Sequence, residues 1–189
     1  MQDHGDLLEL FLEIQNLDRI PRMGYLLSGV PDPESVSEHT WHVAFLVWVL
    51  SERMPDIDRL RALEIAMVHD LAELRIGDLP RTASHYLPDG AKDAAEAAAI
   101  EEILAPLPAD MRLLWKEYRA GESREARLVK ACDKLQMMLK VQVYESQGGA
   151  GMSRFWENPD NFPDGGFPLI EKIFRQLRER RSRQASSAT

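Results

Sequence analysis

Ala62-Leu63-Glu64-Ile65-Ala66-Met67-Val68-His69-Asp70-Leu71-Ala72-Glu73 is an apolar helical run that closes on an imidazole and a carboxylate side by side, with a second acid one turn later. The run predicts a third helix from about Asp58 to Leu74. Gly77-Asp78-Leu79-Pro80 stops it, because glycine supplies a C-terminal turn and proline cannot continue the hydrogen-bond ladder. On such a helix His69 and Glu73 are four residues apart and Asp70 and Glu73 three, so the three side chains share one side of a turn. A neutral imidazole beside a carboxylate offers a divalent metal two ligands.

Outward from this run the periodicity gives helix after helix and almost no strand signal. Leu7, Leu8, Leu10, Phe11 and Ile14 stripe a first helix that ends before Pro21, and Gly24 to Ser35 reads as a loop. Ser37 is read as the N-cap of the second helix, with Glu38 in its first turn and an apolar body reaching about Met54. After the third helix, Asp89-Gly90 opens an Ala- and Glu-rich helix ending at Pro106, and Pro108-Ala109-Asp110 starts a shorter one to about Ala120. A sixth helix spans about Glu122 to Ser146, with Leu128, Val129, Cys132, Leu135, Met138 and Leu139 as its apolar face. A long loop from Gly148 to Phe167 carries Phe155, Trp156 and Phe162, and a last helix runs from Pro168 to about Arg180. The expected architecture is an all-α single domain over residues 1–189, with its core at about 7–181 and a flexible tail from about 182.

Composition narrows the function classes. The chain has 44% hydrophobic and 29% charged residues, and no apolar stretch approaches the roughly 20 residues that a membrane span needs. No basic start followed by an apolar segment marks a signal peptide, and a single cysteine, Cys132, excludes an internal disulfide framework, so the cytoplasm is the expected location. A net charge of −8 argues against capture of nucleic acid polymers, while a small anion remains a suitable partner for a metal and one or two arginines. The basic cluster from Arg175 to Arg183 reads as a solvated helix end.

A closed metal site needs more ligands than His69 and Asp70. His39 on the second helix and Asp133 on the sixth are the candidates, and Asp133 is the more telling, because Val129, Cys132 and Met137 mark a largely buried surface where an unpaired carboxylate is expensive. Each has a plainer alternative. His42 lies three residues after His39 and rivals it; Asp133 can pair with Lys130 or Lys134; Glu73 can bridge to Arg75 or Arg22. His4 and His85 read as solvent-exposed.

The order Ser37-Glu38-His39, Val68-His69-Asp70-Leu71-Ala72-Glu73, Gly77-Asp78-Leu79-Pro80 and Ala131-Cys132-Asp133 resembles the HD-domain metal-dependent phosphohydrolases, most closely the small 5′-deoxynucleotidases and their eukaryotic relatives. Asp18-Arg19-Ile20-Pro21 and Pro33-Glu34-Ser35-Val36 belong to the same resemblance, which runs from about Leu7 through the last helix. It implies an HD-type helical bundle with His39, His69, Asp70 and Asp133 as metal ligands and His42 in packing or support. It also implies that Glu73 works on the nucleophilic water or leaving oxygen, that Asp78 serves the sugar or the site's hydrogen bonds, and that Arg19 lies near the substrate phosphate. Ile20 stands where some relatives carry an aromatic residue that polices the sugar, so selection of deoxyribose over ribose is the open element.

The expected activity is removal of the 5′-phosphate from (deoxy)ribonucleoside monophosphates at one divalent ion, with Mn, Co, Fe, Ni, Zn and Mg all compatible. A triphosphate or guanosine polyphosphate substrate is the nearest alternative, and a non-catalytic metal-stabilised nucleotide-binding protein is the alternative of another class. A homodimer is expected, as in similar enzymes, with Trp41, Phe45 and Trp48 offset from the His39 stripe as surplus apolar surface or as core.

Overall fold

The computed structural model describes the backbone of residues 4–149 and 151–187 and the side chains of residues 7–149 and 151–184. α1 (His4–Glu13) runs into a 3-10 turn (Ile14–Arg19), followed by a one-turn α2 (Met23–Leu26) inside the segment expected to be loop. Leu10 of the first stripe is buried, but Leu8 and Phe11 are exposed, because α1 packs chiefly on the 3-10 turn after it and reaches little of the core. The side chain of His4 lies outside the described residues.

α3 (Val36–Ser51) starts two residues earlier than a cap at Ser37 would place it. Ser35 is the N-cap: its hydroxyl accepts from Glu38 N–H at 3.3 Å, and the Glu38 carboxylate accepts from Ser35 N–H at 2.7 Å. Two of the helix's orphan donors are thereby satisfied reciprocally. The spacing Ser35-Val36-Ser37-Glu38 allows that exchange from Ser35 and not from Ser37. Just upstream, the chain pairs across an isolated bridge between Pro21 and Ser35, with Arg22 N–H on Glu34 C=O and Val36 N–H on Ile20 C=O, both at 2.9 Å. This pairing brings Arg22 to the start of α3.

The expected third helix is not continuous. α4 (Arg59–Val68) ends at Val68, a run of turns carries residues 69–72, and α5 (Glu73–Ile76) follows as one turn. Leu71 N–H reaches Val68 C=O and Glu73 N–H reaches Asp70 C=O, so three-residue bonds replace four-residue ones. The Ala66 carbonyl, one turn back, accepts from the His69 ring at 2.7 Å. Gly77 ends α5 as expected, at φ 71°, a conformation in which a Cβ is strained.

α6 (Arg81–Ser84) is one turn; α7 (Ala91–Ile103) and α8 (Ala109–Ala120) match the expected pair, although α7 stops before Pro106. α9 (Arg124–Ser146) is N-capped by Ser123, whose hydroxyl accepts from Ala126 N–H at 3.1 Å. The expected loop after it holds α10 (Ser153–Glu157) and a 3-10 turn (Pro159–Asn161). Arg154 there donates to Gly24 C=O and Ser28 Oγ, and Phe155 packs on Tyr25, so this strap lies on α2. α11 (Pro168–Ser187) continues seven residues beyond its expected end, so the tail expected to be flexible is helical through Ser187, with its last two residues outside the described part.

α3, α4 and α9 pack mutually and form the centre, with α8 against α4 and α9, and α11 against α9. Val43, Val47, Ile65, Ala66, Leu128, Cys132, Leu135 and Met138 are fully buried there. Each larger aliphatic in that set contributes roughly 1.5–3 kcal/mol of burial, enough to hold the three helices in one register. Among the described residues no helix is long and apolar enough to cross a membrane.

Candidate metal centre

The three central helices aim polar groups at one point within this apolar packing. His39 comes from the first turns of α3, His69 and Asp70 from the break after α4, and Asp133 from the middle of α9. His39 Nε2 lies 3.4 Å from His69 Nε2, 3.4 Å from Asp70 Oδ2 and 3.3 Å from Asp133 Oδ1; His69 Nε2 lies 3.4 Å from Asp70 Oδ2. Donor atoms of His39, His69 and Asp70 all fall within 4.8 Å of one another, and Asp133 meets this set at His39.

A metal bonded to nitrogen and oxygen at about 2.0–2.2 Å separates adjacent donors by roughly 3.0–3.5 Å, so the spacing fits one ion. The proton positions fit as well. His69 Nδ1 donates to the Ala66 carbonyl and His39 Nδ1 to Gln136 Oε1 at 2.6 Å, which leaves both Nε2 lone pairs facing each other and the carboxylates. Converging lone pairs repel unless a cation lies between them.

Burial and neighbouring charges compete across the cluster. Burial pushes the His69 imidazole down, against Asp70, so it is neutral at pH 7. Burial opposes the charge on Asp133, but Lys134, His39 and His69 outweigh it and hold its carboxyl well below the usual range. Asp70 is likewise held low despite burial, by His69, Arg22 and His39. The Lys134 pairing expected as Asp133's plainer alternative is present, at 3.4 Å on Oδ2, and leaves Oδ1 turned to His39.

Glu73 is buried at the edge of the cluster and Oε2 has no hydrogen-bond partner among the described residues. Burial, reinforced by Asp70 and Asp78, pushes its carboxyl up to about 10. Neither expected salt bridge forms: Arg75 pairs with Glu13, and Arg22 bonds Asp70 at 3.2 Å and approaches Asp78 at 4.0 Å. Asp78 also accepts from Met23 N–H at 2.7 Å, so it ties the turn after α5 to the first turn of α2. This long-range bond replaces the local turn bond weighed as its structural role.

The arginine brought to these carboxylates is Arg22; Arg19, expected near the substrate phosphate, lies exposed at the end of the 3-10 turn. The bridge at Pro21 brings Arg22 there, and the surrounding acids hold it well above its ordinary value although burial opposes its charge. His42, the rival of His39, is half-buried away from the converging donors, with Nδ1 3.7 Å from Glu34 and its ring edge on Trp41. His85 is exposed, as expected, with its ring edge on Tyr86.

Sequence reasoning missed two further groups. Gln136 lies one turn after Asp133 on the same face of α9, and its amide donates to Glu34 at 2.9 and 3.1 Å. Glu34 is itself buried and pairs with Lys140 at 3.1 Å. The three-residue step from Asp133 to Gln136 is the signal that finds the first of them.

The HD-domain family model matches residues 14–162, a span that contains every residue of this cluster. The chain belongs to the HD-domain family. Among curated HD relatives, the human 5′-deoxynucleotidase HDDC2 is 34% identical over 148 residues, covering 75% of this chain and 71% of that protein. A conserved hypothetical protein from Pyrococcus furiosus superposes with a TM-score of 0.79 at 36% identity, covering 91% of this chain and 99% of the other. The predicted metal-dependent phosphohydrolase from Magnetospirillum magnetotacticum, at 24% identity and a TM-score of 0.73 over 98% of both chains, shares the fold.

Proposed function

We propose that this HD-domain protein is a metal-dependent phosphohydrolase that removes the 5′-phosphate from deoxyribonucleoside monophosphates. The observation that carries the reading is the set His39, His69 and Asp70, with Asp133 against it and the uncommitted acid Glu73 at its edge. A purely structural ion has no need of that acid. The identity to a named 5′-deoxynucleotidase over three quarters of the chain supports the substrate class.

His39, His69, Asp70 and Asp133 would hold one divalent ion, and the mixed nitrogen and carboxylate set suits Mn, Co, Fe, Ni, Zn or Mg. When bound, the ion supplies positive charge that polarises a phosphoryl oxygen and acidifies a water. Glu73 manages the proton: kept protonated by burial, its carboxyl can give the proton to the departing 5′-oxygen and recover one from the attacking water. Arg22 offers guanidinium charge beside Asp70 for the phosphate, and Asp78 holds Arg22 and α2 in place.

The chain works as a homodimer in this reading. Trp41, Phe45 and Trp48 are 62%, 46% and 52% exposed and touch ring to ring in a row along α3, so they are surface and not core. Apolar surface of this kind marks an interface more often than bare solvent contact.

A phosphate-release screen over deoxy- and ribonucleoside mono- and triphosphates, repeated with several divalent metals, tests the substrate. Release from deoxynucleoside monophosphates, with little dependence on the base, is the expected result. Release only from triphosphates or guanosine polyphosphates would overturn the nucleotidase reading.

A further inference from the structure

An imidazole presents a lone pair to a metal only from the nitrogen that carries no proton, so whatever bonds the other nitrogen decides whether a histidine can ligate. His69 meets a group with one answer: the Ala66 carbonyl only accepts, so Nδ1 carries the proton. His39 meets the Gln136 side chain, whose oxygen and amino ends have nearly the same shape. With its oxygen toward His39 the amide places the proton on Nδ1; turned over, it would donate to Nδ1 and drive the proton to Nε2.

Glu34 removes this ambiguity. Both of its oxygens lie within 3.1 Å of Gln136 Nε2, and Lys140 reaches Oε2 at the same distance. Ionised in that pair, the carboxylate can only accept, so the amino end of Gln136 must face Glu34 and the oxygen must face His39. The arrangement is built into the helix: Asp133, Gln136, Lys140 and Tyr144 follow at three- and four-residue steps along one side of α9, and the Tyr144 hydroxyl accepts from Glu34 N–H at 2.8 Å. Burial raises the stakes, since His39, Glu34 and Gln136 are all enclosed and water cannot substitute for a lost partner.

We propose that Glu34, acting through Gln136 and neutralised by Lys140, is the positioning residue that fixes the His39 proton on Nδ1 and turns the Nε2 lone pair to the metal. The proposal rests on the metal reading above and adds to it a group outside the donor set. In Glu34→Gln the volume is kept, but the new amide can donate to Gln136, so Gln136 can turn over and His39 can carry its proton on Nε2.

The test compares metal-free wild type with E34Q by the nitrogen chemical shifts of their imidazoles, then titrates both with Co²⁺ against a competing chelator. In the wild type His39 is protonated on Nδ1. In E34Q the Nε2-protonated form appears and the Co²⁺ affinity falls by about 10- to 100-fold, the usual effect of losing a group that orients a ligand. His69, oriented by backbone, keeps its proton on Nδ1 in both proteins and so separates this effect from loss of fold. Wild-type Co²⁺ uptake with E34Q unchanged in shifts and affinity overturns the positioning role alone. A wild type that takes up no Co²⁺ overturns the metal reading beneath it. Should E34Q not fold, the wild-type spectrum decides, and a His39 proton on Nε2 refutes the proposal.

Discussion

Replacing Glu73 by Gln should make the metal-free protein more stable at neutral pH. Glu73 is enclosed, 6% exposed, and its carboxyl is raised from an ordinary 4.5 to about 10, first by burial and then by Asp70. The folded chain therefore keeps this proton across a range in which the unfolded chain has released it. A raised group of this kind contributes stability that is fully present below pH 4.5 and is lost as pH climbs toward about 10. The loss runs at about 1.4 kcal/mol per pH unit, which amounts to about 3 kcal/mol by pH 7. That is a large share of the roughly 5–15 kcal/mol that holds a domain together. The substituted amide has no proton to lose, so the stability of E73Q should fall less with pH. Asp70 and Asp133, both held low, lose their contributions as pH falls into the acid range, but they are common to both proteins and cancel in the difference. Urea denaturation of metal-stripped wild type and E73Q at pH 5, 6, 7 and 8 measures that difference directly. It should widen steadily in favour of E73Q. Parallel curves, with a gap independent of pH, would refute the assignment of a neutral, buried Glu73.

The same substitution should leave metal content intact and lower turnover by about 10²–10⁴, the usual worth of a positioned acid or base, as a phosphate-release assay would read. His69→Ala and Asp133→Ala should each lower bound metal, measured by elemental analysis, and with it the melting temperature of the loaded protein. Arg22→Ala should raise KM for a nucleoside monophosphate far more than Arg19→Ala does, since only Arg22 stands among the site's carboxylates. Trp41→Glu with Phe45→Glu should convert a dimer to a monomer in sedimentation, while a parent that is monomeric at micromolar concentration would remove the interface.

Local signals in the sequence carried most of the helices. Gly77, Pro108 and the paired residues Asp89-Gly90 act within a few positions of themselves, and the elements they bound appear where those signals put them. The break at residues 69–72 was not legible, because no glycine or proline marks it and the ring of His69 bonds the backbone one turn back. The cap of α3 is Ser35 where the sequence pattern points to Ser37, two residues on, and only the reciprocal bond with Glu38 distinguishes the two serines. In the site, the four residues expected around a metal lie together, since their chemistry is strongly typed and their helices pack through ordinary apolar faces. The approach of Arg22 to the site's carboxylates depends on a pairing across 14 residues, Pro21 with Ser35, which no periodicity reveals. The roles of Glu34 and Gln136 were hidden for a similar reason: their partners lie about a hundred residues apart in sequence.

Phosphate release from a deoxynucleoside 5′-monophosphate by metal-stripped protein, followed while a divalent ion is added back, tests the central claim most directly. Activity should be absent in the stripped protein and should saturate near one ion per chain. Full activity in the stripped protein, unaffected by a strong chelator, would contradict the account.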